Sequence, residues 1–98
     1  MFDAVILPLA KQDIRKAANW YNNKEQGLGR QFISAIREKV HFIKKHPDSA
    51  PIRYANVRTS IIDSFPFMIH YRVETENQRV VISAVFHTSL SSDRWDER

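Results

Sequence analysis

The chain has 98 residues, 43% of them hydrophobic, with only two glycines. A chain of that size closes one core and leaves too little apolar material for a second, so one domain over residues 1–98 is expected and a disordered or low-complexity polymer is excluded. Fifteen Lys and Arg against 11 Asp and Glu give a net charge of +4, which favours an acidic or polyanionic partner without choosing among nucleic acid, ribosome and acidic protein.

Phe2 to Leu7 is a short apolar run stopped by Pro8, and a run of that length fits a buried strand better than a helix. Beyond it Ala10, Ile14, Ala17, Ala18 and Tyr21 recur at helical spacing, while Lys11, Gln12, Arg15, Lys16, Asn19 and Asn22 fill the other face. This pattern predicts an amphipathic helix of about four turns. The stretch NNKEQGLG interrupts it and holds both glycines, Gly27 and Gly29, where a tight connection can use positive φ. Leu28, Phe32, Ile36, Val40 and Ile43 then repeat every three or four residues until KKHP ends the run at Pro47, which predicts a second helix and hence a helical hairpin.

PDSAPIRYAN reads as a polar connection, and three strand-like runs follow it: Val57 to Asp63, Phe65 to Glu74 and Gln78 to Thr88. Their gaps are short enough for antiparallel hairpins. The expected architecture is α+β in the order β-α-α-β-β-β, with the helical hairpin packed on one face of a curved, mainly antiparallel sheet.

Strand alternation says which side chains share a face. In the last strand Val80, Ile82, Ala84 and Phe86 are expected to meet the helices, with Arg79, Val81, Ser83, Val85 and His87 opposite. In the middle strand Ile69, Tyr71 and Val73 form the core set, and Met68, His70 and Arg72 face away. The first strand is read with Val57, Thr59 and Ile61 inward and Arg58, Ser60 and Ile62 outward. One sheet face would then gather Arg58, His70, Arg72 and His87.

Cysteine is absent, which excludes disulfide and thiolate chemistry, and the histidines 41, 46, 70 and 87 show no zinc-ligand spacing, so neither a metal nor a cofactor is expected. The N-terminal stretch MFDAVILPLAKQ has no basic leader region, and no apolar stretch reaches roughly 18 residues. A cytoplasmic protein without a membrane contact is expected.

The order of elements and three stretches together resemble the RelE/ParE superfamily of bacterial toxins from type II toxin-antitoxin systems. The stretches are AKQDIRKAANWYNNKEQGLGRQF, HPDSAPIRYANVRTSIIDSFPFMIHYRVE and VVISAVFHTSLSSDRW, which span nearly the whole chain. The resemblance implies a small toxin neutralised by a co-expressed antitoxin whose disordered segment folds over it, and oligomers only with that antitoxin. Members of the ParE type, plasmid-stabilisation toxins among them, poison DNA gyrase. Members of the RelE type enter the ribosome and cut mRNA by attack of the ribose 2′-OH on the adjacent phosphate, without a metal. The two activities share a fold, so residues must decide between them.

RNA-cutting members generally carry an arginine in the middle strand where this chain has Met68, and the facing positions of the preceding strand are Ser60 and Ile62. An arginine frequent after HTS in the family is Leu90 here. Against these departures stand His87, Arg72, Arg58 and His70 as an acid-base and phosphate-binding set for a ribonuclease, since His titrates near neutrality and Arg grips phosphate with two donors. Each has a plainer reading. His70 fits a half-exposed strand residue, Arg72 a partner for Glu74 or Glu76, and His87 a strand end.

Arg58, Arg72 and Trp95 are also candidate contacts for a target or an antitoxin, although Trp95 is expected to fold back onto the domain. Trp20 and Tyr21 read as core or groove-lining. The preferred reading is a ParE-like inhibitor of gyrase. The alternatives are a ribosome-dependent endoribonuclease and a chain that binds antitoxin without being toxic.

Overall fold

The computed structural model describes residues 1–97, with side chains as far as Trp95. Its elements are β1 (Asp3–Ile6), α1 (Pro8–Lys24), α2 (Leu28–Lys45), β2 (Ile52–Tyr54), β3 (Val57–Ile61), β4 (Phe67–Glu74), β5 (Arg79–His87) and a 3-10 turn over Ser92–Glu97. Pro8 stops the first strand and also opens α1, because its fixed φ suits the first helical position, where an N–H would have no partner anyway. The helical hairpin turns at Gly27, whose φ of 90° caps α2 and whose N–H donates to Asn22 Oδ1 at 2.9 Å. Gly29 marks the closest approach of the two helices. A Cβ there would press on the carbonyl oxygen of Ala18 and lie 3.1 Å from Cβ of Asn22.

The sheet has five strands in the order β1-β5-β4-β3-β2. β1 runs parallel to β5, and the other pairs are antiparallel. The α+β architecture expected from the sequence is therefore present, with one strand added. β2 lies inside the stretch read as a plain connection. Its three residues sit between Pro51 and a turn in which Ala55 takes a φ of 46°, too short a run for alternation to be seen.

The helix-facing side of the sheet holds the main core, in which Phe32, Ile36 and Ile43 of α2 meet Ile69, Tyr71, Val80, Ile82 and Val85. Tyr71 is fully buried and its hydroxyl donates to the carbonyl of Pro47 at 2.9 Å, tying the end of α2 to the sheet. At one end Tyr21, Phe32, Phe65 and Phe67 form an aromatic cluster with ring centroids 4.9 to 6.0 Å apart.

Two strands are faced differently from the expected alternation. In β5, His70 pairs with Ala84 but Tyr71 pairs with Ile82, so Ser83 is an extra residue in a bulge. A bulge shifts the alternation by one. Val80 and Ile82 face the helices as expected, but beyond Ser83 it is Val85 that enters the main core, while Ala84 and Phe86 turn to the other side. In β3, Arg58 lies opposite Tyr71 and Thr59 opposite His70. Arg58 and Ile62 therefore belong to the helix side, and Thr59 and Ile61 to the outer side, the reverse of the expectation.

The outer side has a smaller cover of its own. The chain after β5 folds back and its 3-10 turn sets Trp95, 7% exposed, against the sheet. Met68, His70, Val81 and Ala84 are buried although they point away from the helices.

Candidate functional site

The four groups expected on one face are divided between two. Arg58 is on the helix side, where its guanidinium donates to the carbonyls of Ala50 at 2.5 Å and Asp48 at 3.4 Å and pairs with the Asp48 carboxylate at 3.4 Å. It fastens the α2–β2 connection. His87, after the bulge, lies opposite Phe67 on the same side, its ring edge-on to Phe67 at 5.1 Å. His70 and Arg72 are on the outer side. His70 is not half-exposed as expected but wholly buried, and Arg72 pairs with Glu74 at 3.3 Å. Glu74 also receives two hydrogen bonds from Arg79, at 2.6 and 3.0 Å. These bonds, with Asn77, hold its carboxyl below the ordinary glutamate value.

A groove of about 560 Å³ opens between α1 and the end of β5. β1 accompanies β5 only as far as Ile82, so among the described residues no strand pairs with that edge of β5 beyond it. Ala17, Tyr21, Phe67 and Val85 make the groove apolar, and Lys16, Asp13 and His87 mark its rim. Trp20, 56% exposed, stands along it, while Tyr21 packs into the aromatic cluster, where burial raises its hydroxyl pKa. Asp13 reaches across and its Oδ2 accepts the N–H of Val85 at 3.0 Å. An open strand edge is a template for further strands, and this carboxylate occupies one of its donors.

The geometry of His87 restricts its chemistry. The backbone N–H of Ser89 donates to its Nδ1 at 3.0 Å, and Ser89 Oγ lies 2.8 Å from the same atom. A backbone N–H can only donate, so Nδ1 is the acceptor and the neutral ring carries its proton on Nε2. The face offered to a ligand is a donor. A base would need the lone pair there.

On the outer side, His70, Tyr54 and Trp95 form a compact group. The Tyr54 hydroxyl is 2.9 Å from His70 Nδ1, and the Trp95 ring meets His70 edge to face at 4.8 Å. Trp95 therefore folds back, as expected. Burying a large apolar side chain stabilises by about 1.5–3 kcal/mol. The indole N–H, however, is buried with no hydrogen-bond partner among the described residues, at a cost of about 1–3 kcal/mol. Among the described residues no group of three or more His, Cys, Asp or Glu is placed to hold a metal ion, and no helix is long and apolar enough to cross a membrane.

The sequence reading missed Asp13 and Tyr54. Asp13 carried a signal: it is the sole acidic residue of α1, PLAKQDIRKAANWYNNK. Tyr54 carried none, because its strand was not seen.

No curated protein matches the chain in sequence. Solved structures match its fold. The chromosomal ParDE toxin-antitoxin system of P. aeruginosa aligns with a TM-score of 0.67 at 17% identity, covering 91% of this chain and 98% of that one. The toxin-antitoxin complex RelBE2 of Mycobacterium tuberculosis gives 0.64 at 18% identity, over 88% of this chain and 96% of that one. The isolated RelE toxin of E. coli gives 0.68 at 14% identity, over 99% of this chain and 95% of that one. The sequence profile described as "ParE toxin of type II toxin-antitoxin system, parDE" matches residues 4–90. That match runs from β1 through β5 and takes in the open groove, so this chain belongs to the ParE toxin family of type II toxin-antitoxin systems.

Proposed function

We propose that this toxin acts by binding its target rather than by cutting RNA, with DNA gyrase as that target, and that a cognate antitoxin neutralises it by seating an apolar segment in the groove between α1 and β5. The observation that carries the reading is the division of Arg58, His87, His70 and Arg72 between two faces of one sheet. Phosphodiester transfer to a 2′-OH needs a base, cations and an acid around a single phosphate. Here Arg58 is occupied with the Ala50 carbonyl, His70 is fully buried, and His87 turns a donor outward. The antitoxin part is supported by the apolar groove with its exposed Trp20, a surface that gains from being covered. It is supported further by the toxin-antitoxin systems among the chains of the same fold.

The experiment is induction of the chain in cells, with mRNA ends and the supercoiling of a reporter plasmid followed in parallel. Relaxed or cleaved plasmid with intact mRNA is expected, and growth arrest should persist in His87→Ala. New ribosome-dependent mRNA ends that vanish in His87→Ala would replace this reading by the ribonuclease, for which loss of an acid or base costs about 10² to 10⁴ in rate.

A further inference from the structure

Charge is not spread evenly along the chain. Pro8 to Lys45, the helical hairpin with its turn, holds nine Lys and Arg against three acidic residues, a net +6. The remaining residues hold six against eight, a net −2. The positive charge of the chain therefore belongs to the hairpin, and five of the nine cations share its outer face.

On α2 the positions 30, 34, 37, 41 and 44 recur at alternating steps of four and three, which makes one stripe along a helix. They are Arg30, Ser34, Arg37, His41 and Lys44. On α1 the corresponding stripe is Lys11, Arg15, Asn19 and Asn22, all exposed. The stripes meet in a polar cleft of about 490 Å³, to which α1 gives Asn19 and Asn22 and α2 gives Arg30, Ser34 and Arg37. A smaller hollow carries the α2 stripe on through His41 to Lys44, and Gly29 lets the two helices lie this close. The three acids of the hairpin lie elsewhere. Asp13 bonds to Val85, Glu25 ends α1, and Glu38 lines a hollow with Gln31 and Phe65. Among the described residues no ion pair uses a cation of this face.

The composition of the face narrows the partner. No Trp, Tyr or Phe belongs to either stripe, so the bases of a single strand would find no ring to stack on. Lys, Arg, Asn and Ser are side chains that hold phosphate oxygens. The α2 stripe runs about 21 Å from Arg30 to Lys44, the length of about six base pairs of a duplex. A rigid row of cations suits a partner whose charges are also fixed and regular, because neither side then gives up freedom on binding.

We propose that the outer face of the helical hairpin holds the phosphate backbone of duplex DNA without reading its sequence. The choice of DNA rests on the gyrase reading, since gyrase acts on duplex DNA. The face shares no residue with the groove between α1 and β5. A protein segment in the groove and DNA on the hairpin can therefore be bound together.

The test uses the full chain without gyrase, so that its outcome is separate from the identity of the target. The probes are a DNA duplex of about 20 base pairs, longer than the stripe, its single strand, the RNA duplex of the same sequence, and polyglutamate. The DNA duplex should bind with a Kd of about 10⁻⁴ to 10⁻⁶ M, and log K should fall against log salt with a slope of about −4, the mark of four or five phosphate contacts. Arg30→Gln combined with Arg37→Gln should flatten the slope by about 2 and lower affinity about tenfold or more near 0.1 M salt. Both arginines are exposed, so the fold should survive. Lys24→Gln combined with Lys39→Gln removes the same charge away from the face and should change the slope much less. Equal losses in the two pairs, or no binding of duplex DNA at about 0.05 M salt, would overturn the proposal. So would binding of the single strand, the RNA duplex or polyglutamate as tight as that of the DNA duplex. If the DNA duplex behaves as expected while plasmid supercoiling in induced cells is untouched, the gyrase reading falls and the face stands.

Discussion

The two sides of the sheet are built on different principles. The helix side is covered by α1 and α2 along its length, and its contacts are large, apolar and continuous, from Ile43 through Tyr71 to the aromatic cluster at Phe67. The outer side is covered by one short turn, and its buried set contains a histidine and an indole N–H with no acceptor among the described residues. One side holds the larger apolar core and the other a smaller, more polar buried layer. A smaller buried layer contributes less to stability. The comparison therefore predicts that substitutions on the two sides will differ in size and in kind.

The largest effects belong to the helix side. Phe32→Ala removes a fully buried ring at the centre of the aromatic cluster and should cost about 3–5 kcal/mol in denaturant unfolding. Trp95→Ala should cost less, about 1–2 kcal/mol, because the lost burial is partly offset by removing an unsatisfied N–H. Equal losses at the two positions would erase the distinction between the sides.

Asp13→Ala exposes the Val85 N–H at the rim of the groove and should cost about 1 kcal/mol. Asp13→Asn, which keeps an acceptor, should recover part of it. Because the carboxylate occupies an open edge, the alanine variant should also self-associate more readily in sedimentation experiments. An unchanged sedimentation profile would remove the edge-guarding role from Asp13.

Tyr71 gives the helix side a response to alkali. Burial raises its hydroxyl above 10.0, against a smaller lowering by Arg58. A group whose folded pKa is raised contributes stability that is fully present below the unfolded value and is lost as pH rises through the folded one. Stability should therefore fall above about pH 10. In Tyr71→Phe the alkaline drop should shrink to the part left to Tyr21, which is raised in the same direction. The same variant leaves the Pro47 carbonyl without its donor, a loss of about 1 kcal/mol at neutral pH.

These differences between sides were only partly legible in the sequence. The helices, the hairpin turn at Gly27 and the order of the long strands follow from periodicity and from Gly and Pro placement, which are local signals. The pairing of His87 with His70 and Arg72 on one face was wrong for a local reason that leaves no local mark. Ser83 reads as an ordinary polar residue in an alternating strand, yet it is the bulge, and every residue after it changes sides. The facing of Arg58 failed because VRTSI offers weak alternation, and the register is set instead by β4 and by the carbonyls of the α2–β2 connection. The return of Trp95 was legible, since an aromatic in a polar tail must be covered by something. Its partner Tyr54 was not, because a strand of three residues has no period.

The smallest expected effect lies on the outer side and tests whether its charges matter at all. Glu74 accepts from Arg79 and Asn77 and lies beside Arg72, and these contacts, the Arg79 hydrogen bonds first, hold its carboxyl below the ordinary 4.5. A depressed carboxylate contributes stability that is present above the unfolded value and is lost as pH falls through the folded one. Acid unfolding should therefore contain a component that appears only below about pH 4.5, and Glu74→Gln should remove it and lower neutral stability by the same small amount, well below that of Trp95→Ala. The cluster is open to solvent, so added salt should suppress the same component. Loss of neutral stability in Glu74→Gln comparable to that in Trp95→Ala would mean that the outer side is held by its ion pairs. The division between an apolar helix side and a smaller, more polar outer side would then have to be redrawn around the Arg72, Glu74 and Arg79 cluster.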